Sequence, residues 1–158
     1  MIEPADLRKH SFFGGLEPEQ IDTILSLMKQ ESFELGADII VQGQSNDKIF
    51  FILEGRTEVC MGDVQLSKFE EGSAFGEMAV LEIMASAATI RALTPTRVMS
   101  LSNRGLHELY KKDLKVFSIL IMNLARDLSR RLRRMNAEYY HVMKHHAERW
   151  PPHLPFPR

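Results

Sequence analysis

Apolar and polar residues follow two different periods along this chain, and each change of period marks a change of structure. Near the start, the apolar residues of "IDTILSLM" recur at helical spacing after Pro18, which suits a first helical turn. From Ser32 onward, short β-branched and aromatic runs are separated by turn-forming segments such as "SND", "MGD" and "EEG". The pattern predicts a short amphipathic helix followed by antiparallel strands of about 4–7 residues in a meander, sandwich or barrel.

Two further runs, "ATIRAL" and "RVMSL", extend the series of strands on either side of "TPT". Ser102 then precedes "NRGLHELYKK", where Leu106 and Leu109 indicate a short helix with the serine as its N-cap. The predicted fold class is therefore α+β, mainly β, with helices at both ends of an antiparallel β structure.

The last part of the chain carries the longest helical pattern, with no glycine or proline from Leu114 to Trp150. A helix of about 30 residues would be about 45 Å long, so part of it should project from a small β domain. Its apolar stripe then needs a partner, and we predict that the stripe forms a homodimer seam. The stripe consists of Phe117, Ile121, Leu124, Leu128, Leu132, Met135, Tyr139 and Val142, with an extra four-residue step after Leu128 that would locally straighten a coiled coil.

These patterns divide the chain into three predicted parts. Residues 1–113 form the β structure with its N-terminal helices, and residues 114–150 form the dimerisation helix. Residues 151–158, "PPHLPFPR", form a tail that proline keeps out of any helix.

Composition narrows the class of protein. The 158 residues are 44% apolar, which suits one compact domain with a real core. Because 20 basic residues balance 21 acidic ones, no overall attraction to nucleic acid follows. The first residues do not resemble a secretory signal, and no apolar run reaches the roughly 18 residues that span a bilayer. We expect a cytoplasmic protein without a membrane segment.

Five segments, in this order, carry a resemblance to a known family. They are "FFGGLEPEQIDTI", "GADIIVQGQSNDKIFFILEGRTEV", "FEEGSAFGEMAVL", "AATIRALTPTRVMSL" and "LARDLSRRLRRMN". Over about residues 7–136 the chain resembles the cyclic nucleotide-binding domain family, which includes bacterial regulators of the catabolite activator type and regulatory subunits of cyclic AMP-dependent kinase. The resemblance implies a β roll, or jelly roll, that carries a short phosphate-binding helix. A hinge near "NRGLHELYKKDLK" and a long C-terminal helix would follow.

The segment "FGEMAVL" has the chemistry of an anion site. A glycine at a helix start lets backbone N–H groups approach an anion, and the helix N-terminus adds partial positive charge. Gly76, Glu77, Met78 and Ala79 would supply these amides. By resemblance to the family, the Glu77 carboxylate would accept a hydrogen bond from the ribose 2′-hydroxyl of a cyclic nucleotide.

The resemblance also implies a cation, which this sequence lacks. The family places an arginine ten residues after the glycine, in segments like "PRAATV". Counting from Gly76 and from "AATI" gives the same position, and it holds Ser86, followed by Ala87 and Ala88. Arg91 is not expected to replace the arginine, because side chains alternate between the two faces of a strand. Losing the charge-assisted pair would weaken phosphate binding by about 2–3 kcal/mol.

Three interpretations of Ser86 remain open. In the first, the pocket no longer binds cyclic nucleotides and the domain is a protein-interaction module. In the second, the pocket binds a less charged or differently oriented ligand. In the third, it still binds a cyclic nucleotide weakly. An alternative function is a working cyclic AMP-binding signalling protein or a truncated transcriptional regulator. No permanent cofactor is expected, and a cyclic nucleotide or another small molecule would be the exchangeable ligand.

The polar face of the long helix is rich in arginine, with five such residues in "ARDLSRRLRR". We interpret it as the solvated flank of a dimer seam. The residues that follow are too few and too proline-rich for a recognition helix with its support, so this chain alone should not bind DNA.

Candidates for catalysis and metal binding are weak. His141 and His145 lie one helical turn apart, near His146 and Glu148, but the sequence offers no third fixed ligand and no metal site is predicted. Cys60, the single cysteine, is predicted to be a small core residue. Because no nucleophile triad, phosphate loop or carboxylate pair has a recognisable spacing, we expect no enzyme activity and a regulatory role, with a protein partner as well as the second copy.

Overall fold

The computed structural model describes the backbone of residues 4–149 and the side chains of residues 5–145. The predicted tail at 151–158 lies outside these residues. Contacts divide the chain into two compact units after Leu124, so the first unit is described by residues 4–124 and the second by residues 125–149.

The first unit begins with helices and continues as a β roll. The helices are α1 (Pro4–Leu7), a 3-10 turn (Ser11–Phe13) and α2 (Pro18–Leu25). The strands are β1 (Lys29–Phe33), β2 (Asp38–Ile40), β3 (Lys48–Glu54), β4 (Arg56–Met61), β5 (Val64–Glu70), β6 (Ala74–Phe75), β7 (Thr89–Ala92) and β8 (Thr96–Ser102). The remaining helices are α3 (Glu77–Glu82) within the roll, α4 (Asn103–Lys112) and α5 (Leu114–Arg149).

Two four-stranded antiparallel sheets make up the roll, in the orders β1-β8-β3-β6 and β2-β7-β4-β5. The predicted fold class is confirmed, since the described part of the chain is mainly antiparallel β with helices at both ends. Helix α2 begins at Pro18 as predicted, and Glu17 and Gln20 form a capping box at its start.

The alternation of side chains on β3 explains how the roll makes two core regions. Ile49 and Phe51 belong to the cluster formed with the N-terminal helices, α4 and the start of α5. Phe50 and Ile52 belong to a second cluster that includes residues of both sheets. Since β3 is buried on both faces, it reads in the sequence as a continuous apolar run.

The C-terminal helices begin where the sequence predicted. The Ser102 hydroxyl accepts a hydrogen bond from the N–H of Gly105 at 3.1 Å and caps α4. Asp113 is extended, with φ −151° and ψ 93°, and separates α4 from α5. Its carboxylate accepts a hydrogen bond from the N–H of Val116 at 3.0 Å. The predicted hinge segment therefore contains a break between two helices, while its motion stays a prediction.

Candidate functional site

The short helix α3 starts at a glycine that the surrounding backbone requires. Strand β6 pairs with β3 and delivers the chain to Gly76, the N-cap residue of α3, whose φ is +84°. A Cβ added at Gly76 would lie 2.6 Å from the carbonyl oxygen of Lys48. Both the left-handed φ and this close approach exclude a side chain, so Gly76 is fixed by the fold.

The side chain of Asn46 stabilises this turn through hydrogen bonds, a role that was not predicted from the sequence. Its side-chain amide donates to the carbonyl oxygens of Lys48 at 2.7 Å and Gly76 at 3.1 Å. Its own carbonyl oxygen accepts from the N–H of Lys48 at 3.2 Å. The segment "SND" indicated only a turn. No local sequence pattern predicts that the asparagine donates a hydrogen bond to a residue 30 positions away.

The four predicted amide donors open α3, and their side chains have different environments. Glu77 is buried, with 3% of its surface exposed, and Ala79 is also buried. Met78 is exposed instead. The structure thus gives a buried carboxylate at the first residue of the helix, where negative charge is stabilised by the helix N-terminus.

Ser86 lies beside the same segment of the roll as Gly76. Its N–H donates to the carbonyl oxygen of Gln44, and its own carbonyl oxygen accepts from the N–H of Gly43, both at 2.8 Å. Only 8% of the residue is exposed, and its hydroxyl has no hydrogen-bond partner among the side chains and backbone that the structure describes. Residues 43–48 therefore border both the start of α3 and Ser86, while Ala87 is exposed and Ala88 half-buried.

The chain between these two features is strained at one residue. Ile83 ends α3 in the left-handed region, with φ +55°, although 86% of its surface is exposed. A β-branched residue rarely adopts this conformation, which costs of order 1–3 kcal/mol. No sequence signal predicted this conformation, since glycine or asparagine is the usual signal for such a turn.

Basic side chains near this region already have acidic partners. Arg91 on β7 donates from Nε to Oδ1 of Asp38 at 2.7 Å, and this hydrogen bond raises the pKa of the guanidinium. Lys48 contacts Glu31 at 3.0 Å. Burial alone would raise the pKa of the Glu31 carboxyl, but hydrogen bonds from Ser100 and Lys48 outweigh it and hold that pKa below its usual value. Arg91 is thus engaged by Asp38 on β2, and the expectation that it does not replace the family's arginine stays a prediction.

The predicted dimer stripe has two different environments. In the first unit, Leu124 is buried, and Phe117 and Ile121 pack against the core cluster. In the second unit, the larger stripe residues are exposed on the helix, namely Leu132, Met135, Tyr139 and Val142. The role of this stripe in dimerisation stays a prediction. The part of the stripe that is free to contact a second copy is limited to residues 128–142.

The remaining candidate residues do not form a second site. Cys60 is only partly buried on β4, next to a shift in the β4–β5 register. The prediction that it is a core residue is therefore wrong, since it belongs to neither core cluster. Burial and the neighbouring Glu58 raise the pKa of its thiol and disfavour the reactive thiolate. Among the residues the structure describes, no group of three His, Cys, Asp or Glu side chains could hold a metal ion. The side chains of His146 and Glu148 lie outside that set.

The arginine-rich flank of α5 includes internal ion pairs. Asp127 contacts Arg130 at 3.1 Å and Arg131 at 2.5 Å. Within residues 4–149, no helix combines the length and apolar character needed to cross a membrane.

Comparison with known proteins identifies the family of this chain. The sequence pattern of the cyclic nucleotide-binding domain matches residues 30–113. The chain is 30% identical over 123 residues to human cGMP-dependent protein kinase 2, covering 78% of this chain and 16% of the kinase. It is 31% identical over 93 residues to the cAMP-dependent protein kinase regulatory subunit of Yarrowia lipolytica, covering 58% of this chain and 25% of that protein. It therefore spans a quarter or less of these two relatives.

A solved structure shares the fold. The catabolite activator protein of Thermus thermophilus superposes with a TM-score of 0.73 and 25% identity, covering 84% of this chain and 63% of that one. The matched β roll, the glycine-started helix α3 within it and the C-terminal helix define a regulatory small-molecule-binding class of domain. This chain belongs to the cyclic nucleotide-binding domain family, and the family predicted from the five segments is confirmed.

Proposed function

We propose that this chain is a dimeric regulatory domain whose phosphate pocket lacks its cation, so that it binds cyclic nucleotides weakly or not at all. The observation that carries the proposal is Ser86, a buried serine with an unpartnered hydroxyl at the position where the family resemblance implies an arginine. In this proposal the amides at the start of α3 would still contact the phosphate, and Glu77 would still contact the ribose. A neutral hydroxyl donates a hydrogen bond but does not balance the charge of a cyclic phosphate.

Regulation would follow the route of the family. Occupancy of the pocket would move α3, and the break at Asp113 would transmit the change to α5 and to a docked protein or the second copy. We place the protein in the cytoplasm and assign it no enzyme activity of its own.

Calorimetric titration with cyclic AMP and cyclic GMP tests the pocket. The native chain should give no binding at micromolar nucleotide, and Ser86→Arg should gain roughly a hundredfold in affinity, since a charged hydrogen-bonded pair contributes about 2–3 kcal/mol. Ser86→Gln is the matched control, because it lengthens the side chain without adding charge. Ala87→Arg adds the same charge at the next, exposed residue.

Micromolar binding by the native chain would show that the site works without the arginine. Gain in both arginine variants would indicate unspecific attraction of the nucleotide. Thermal melts of all four proteins establish that each is folded before its affinity is compared.

A second candidate function is that of a ligand-independent interaction module. It is favoured by an exposed apolar cluster on and just after α3, formed by Met78, Leu81, Ile83 and Met84. This function predicts no thermal shift with cyclic nucleotides or other metabolites, and loss of a protein partner on replacing Ile83 by aspartate.

A further inference from the structure

The chain from the N-cap of α3 to Ser86 is hydrogen-bonded at both ends to one short stretch of the roll, residues 43–48. At its start, the side-chain amide of Asn46 donates to the carbonyl oxygen of Gly76 at 3.1 Å. At its end, Ser86 makes two backbone hydrogen bonds of 2.8 Å to the same stretch. Residues 76–86 therefore form a loop whose two ends are both held by residues 43–48.

The two ends of this loop are held in different ways. The far end is held by backbone hydrogen bonds, which do not depend on the side chain that stands there. At the start, the ladder between β3 and β6 ends at the pair of Phe50 and Phe75, one residue before Gly76. Beyond that pair, the Asn46 side chain connects α3 to β3, because it bonds both Gly76 and Lys48. The position of the start thus depends on one side chain.

The chemistry of asparagine suits this place. A neutral amide supplies two N–H donors and a carbonyl acceptor, and Asn46 donates to two carbonyl oxygens and accepts from the N–H of Lys48. Its Nδ2 lies 3.0 Å from the point where a Cβ at residue 76 would be, so the glycine there lets the amide approach. An aspartate at position 46 would keep the acceptor and lose both donors.

Helix α3 needs this support, because it is too short to be stable alone. It has six residues, whereas isolated helices shorter than roughly 12–15 residues are marginal in water. One face packs on the roll through Ala79 and Val80, while Met78 and Leu81 are exposed. The helix then ends at Ile83 in the left-handed region, a conformation that persists only where the surrounding structure fixes the chain. The order of α3 therefore depends on how its two ends are held.

We propose that Asn46 is a positioning residue for the pocket, and that it keeps the start of α3 ordered while no ligand is bound. The backbone N–H groups of α3 are then in place before a ligand arrives, and binding does not have to order them. Without Asn46, the apparent affinity would fall with the fraction of molecules whose α3 is ordered. The contact of these N–H groups with a ligand rests on the proposed function above, whereas the ordering of α3 by Asn46 does not.

Hydrogen exchange of the full chain without ligand tests the ordering. In Asn46→Ala, the amides of residues 77–82 should exchange about tenfold faster, since the start of α3 loses its hydrogen bond to the roll. The amides of β8, residues 96–102, should exchange at the native rate. Gln44→Ala is the matched control, because it removes an exposed amide side chain from the same stretch and keeps the backbone carbonyl that accepts from Ser86. Its α3 should exchange as in the native chain.

Asn46→Asp separates the two roles of the side chain. It keeps the acceptor for the N–H of Lys48 and loses the donors, so α3 should exchange nearly as fast as in the alanine variant. Native exchange of α3 in either variant would overturn the proposal. Equal acceleration in α3 and β8 would overturn it as well, because Asn46 would then stabilise the whole roll rather than the position of α3.

Affinity gives a second readout, in the Ser86→Arg chain that should bind cyclic AMP. Adding Asn46→Ala should weaken this binding about tenfold in calorimetry, because the ligand must then order α3 itself. An unchanged affinity would overturn the positioning role. Absence of binding by Ser86→Arg alone would count against the proposed function, while the exchange measurement would still decide whether Asn46 orders α3.

Discussion

The two parts of α5 share one helical pattern and differ in what surrounds them. In the first unit, Val116, Leu120 and Leu124 lie in the core cluster of the β roll. In the second, apolar residues at the same spacing are exposed, and Leu132 has 58% of its surface accessible whereas Leu120 has 0%. An apolar stripe therefore indicates that a helix needs a partner without telling whether the partner is the same chain. The following changes test that difference.

Truncation of a buried leucine should have the largest effect. Leu120→Ala removes a fully buried side chain and leaves a cavity, so we expect a loss of about 2–5 kcal/mol in the free energy of unfolding, measured by urea denaturation. Leu132→Ala is the matched control on the same helix, and its loss should be below about 0.5 kcal/mol at protein concentrations where dimers dissociate. Similar losses at all concentrations in both variants would mean that both parts are buried within one chain.

Loss of the hydrogen bonds made by Asn123, in the buried part of α5, should have the second-largest effect on stability. Asn123 is buried and donates from its side-chain amide to the carbonyl oxygens of Phe12 at 3.1 Å and Gly14 at 2.8 Å. Asn123→Ala leaves these acceptors without that donor, so we expect a loss of about 1–3 kcal/mol in unfolding free energy. Asn136→Ala, on the exposed part, is the control and should change stability little.

An unchanged midpoint for the Asn123→Ala variant would indicate that water replaces the amide. In that case the N-terminal turn would not depend on α5 for its position.

Removal of the N-terminal cap of α5 should have a smaller effect on the free energy of unfolding. Asp113→Ala removes the carboxylate that accepts from the N–H of Val116, and we expect about 0.5–2 kcal/mol of destabilisation. Asp113→Asn keeps the acceptor and loses only the charge, so it should recover most of the stability in the same urea titration. If both variants lost equally, the charge at the helix start rather than the hydrogen bond would stabilise α5.

Mild acid should have the smallest effect on stability, and it should act through His10 in the first unit. Burial, together with Lys9, lowers the pKa of His10 below 6.5 despite the opposing Glu71. Its ring packs against Phe51 at a centroid distance of 5.4 Å. Since the unfolded chain binds the proton more readily, this contribution is present above pH 6.5 and is lost as pH falls through the lowered value. Urea titrations between about pH 7.5 and 5.5 should show the loss.

His10→Gln is the control for the pH effect, because it keeps a polar side chain that does not titrate. Its stability should change less over the same range. An equal slope in both proteins would assign the pH dependence to the other five histidines.

Much of the fold could be predicted because its signals are local. Frequent turns separate the strands, Ser102 caps α4 as expected, and the absence of glycine and proline allows α5 to run unbroken from Leu114 to Arg149. The glycine that opens α3 could also be predicted directly, as could the serine at the position where the resemblance implies an arginine. Asn46 and the pairing of Arg91 with Asp38 could not, since both depend on residues distant in the chain.

By itself, the sequence determined the order of the elements and the family, and it places Ser86 where the family resemblance implies an arginine. Only the tertiary structure decided which apolar residues are buried, why Gly76 accepts no side chain, and that Ile83 adopts a left-handed conformation in solvent. The physical reason is the range of the interactions involved. Helical periodicity, capping and turn preference depend on neighbouring residues, whereas burial and close approach depend on what other elements place beside them.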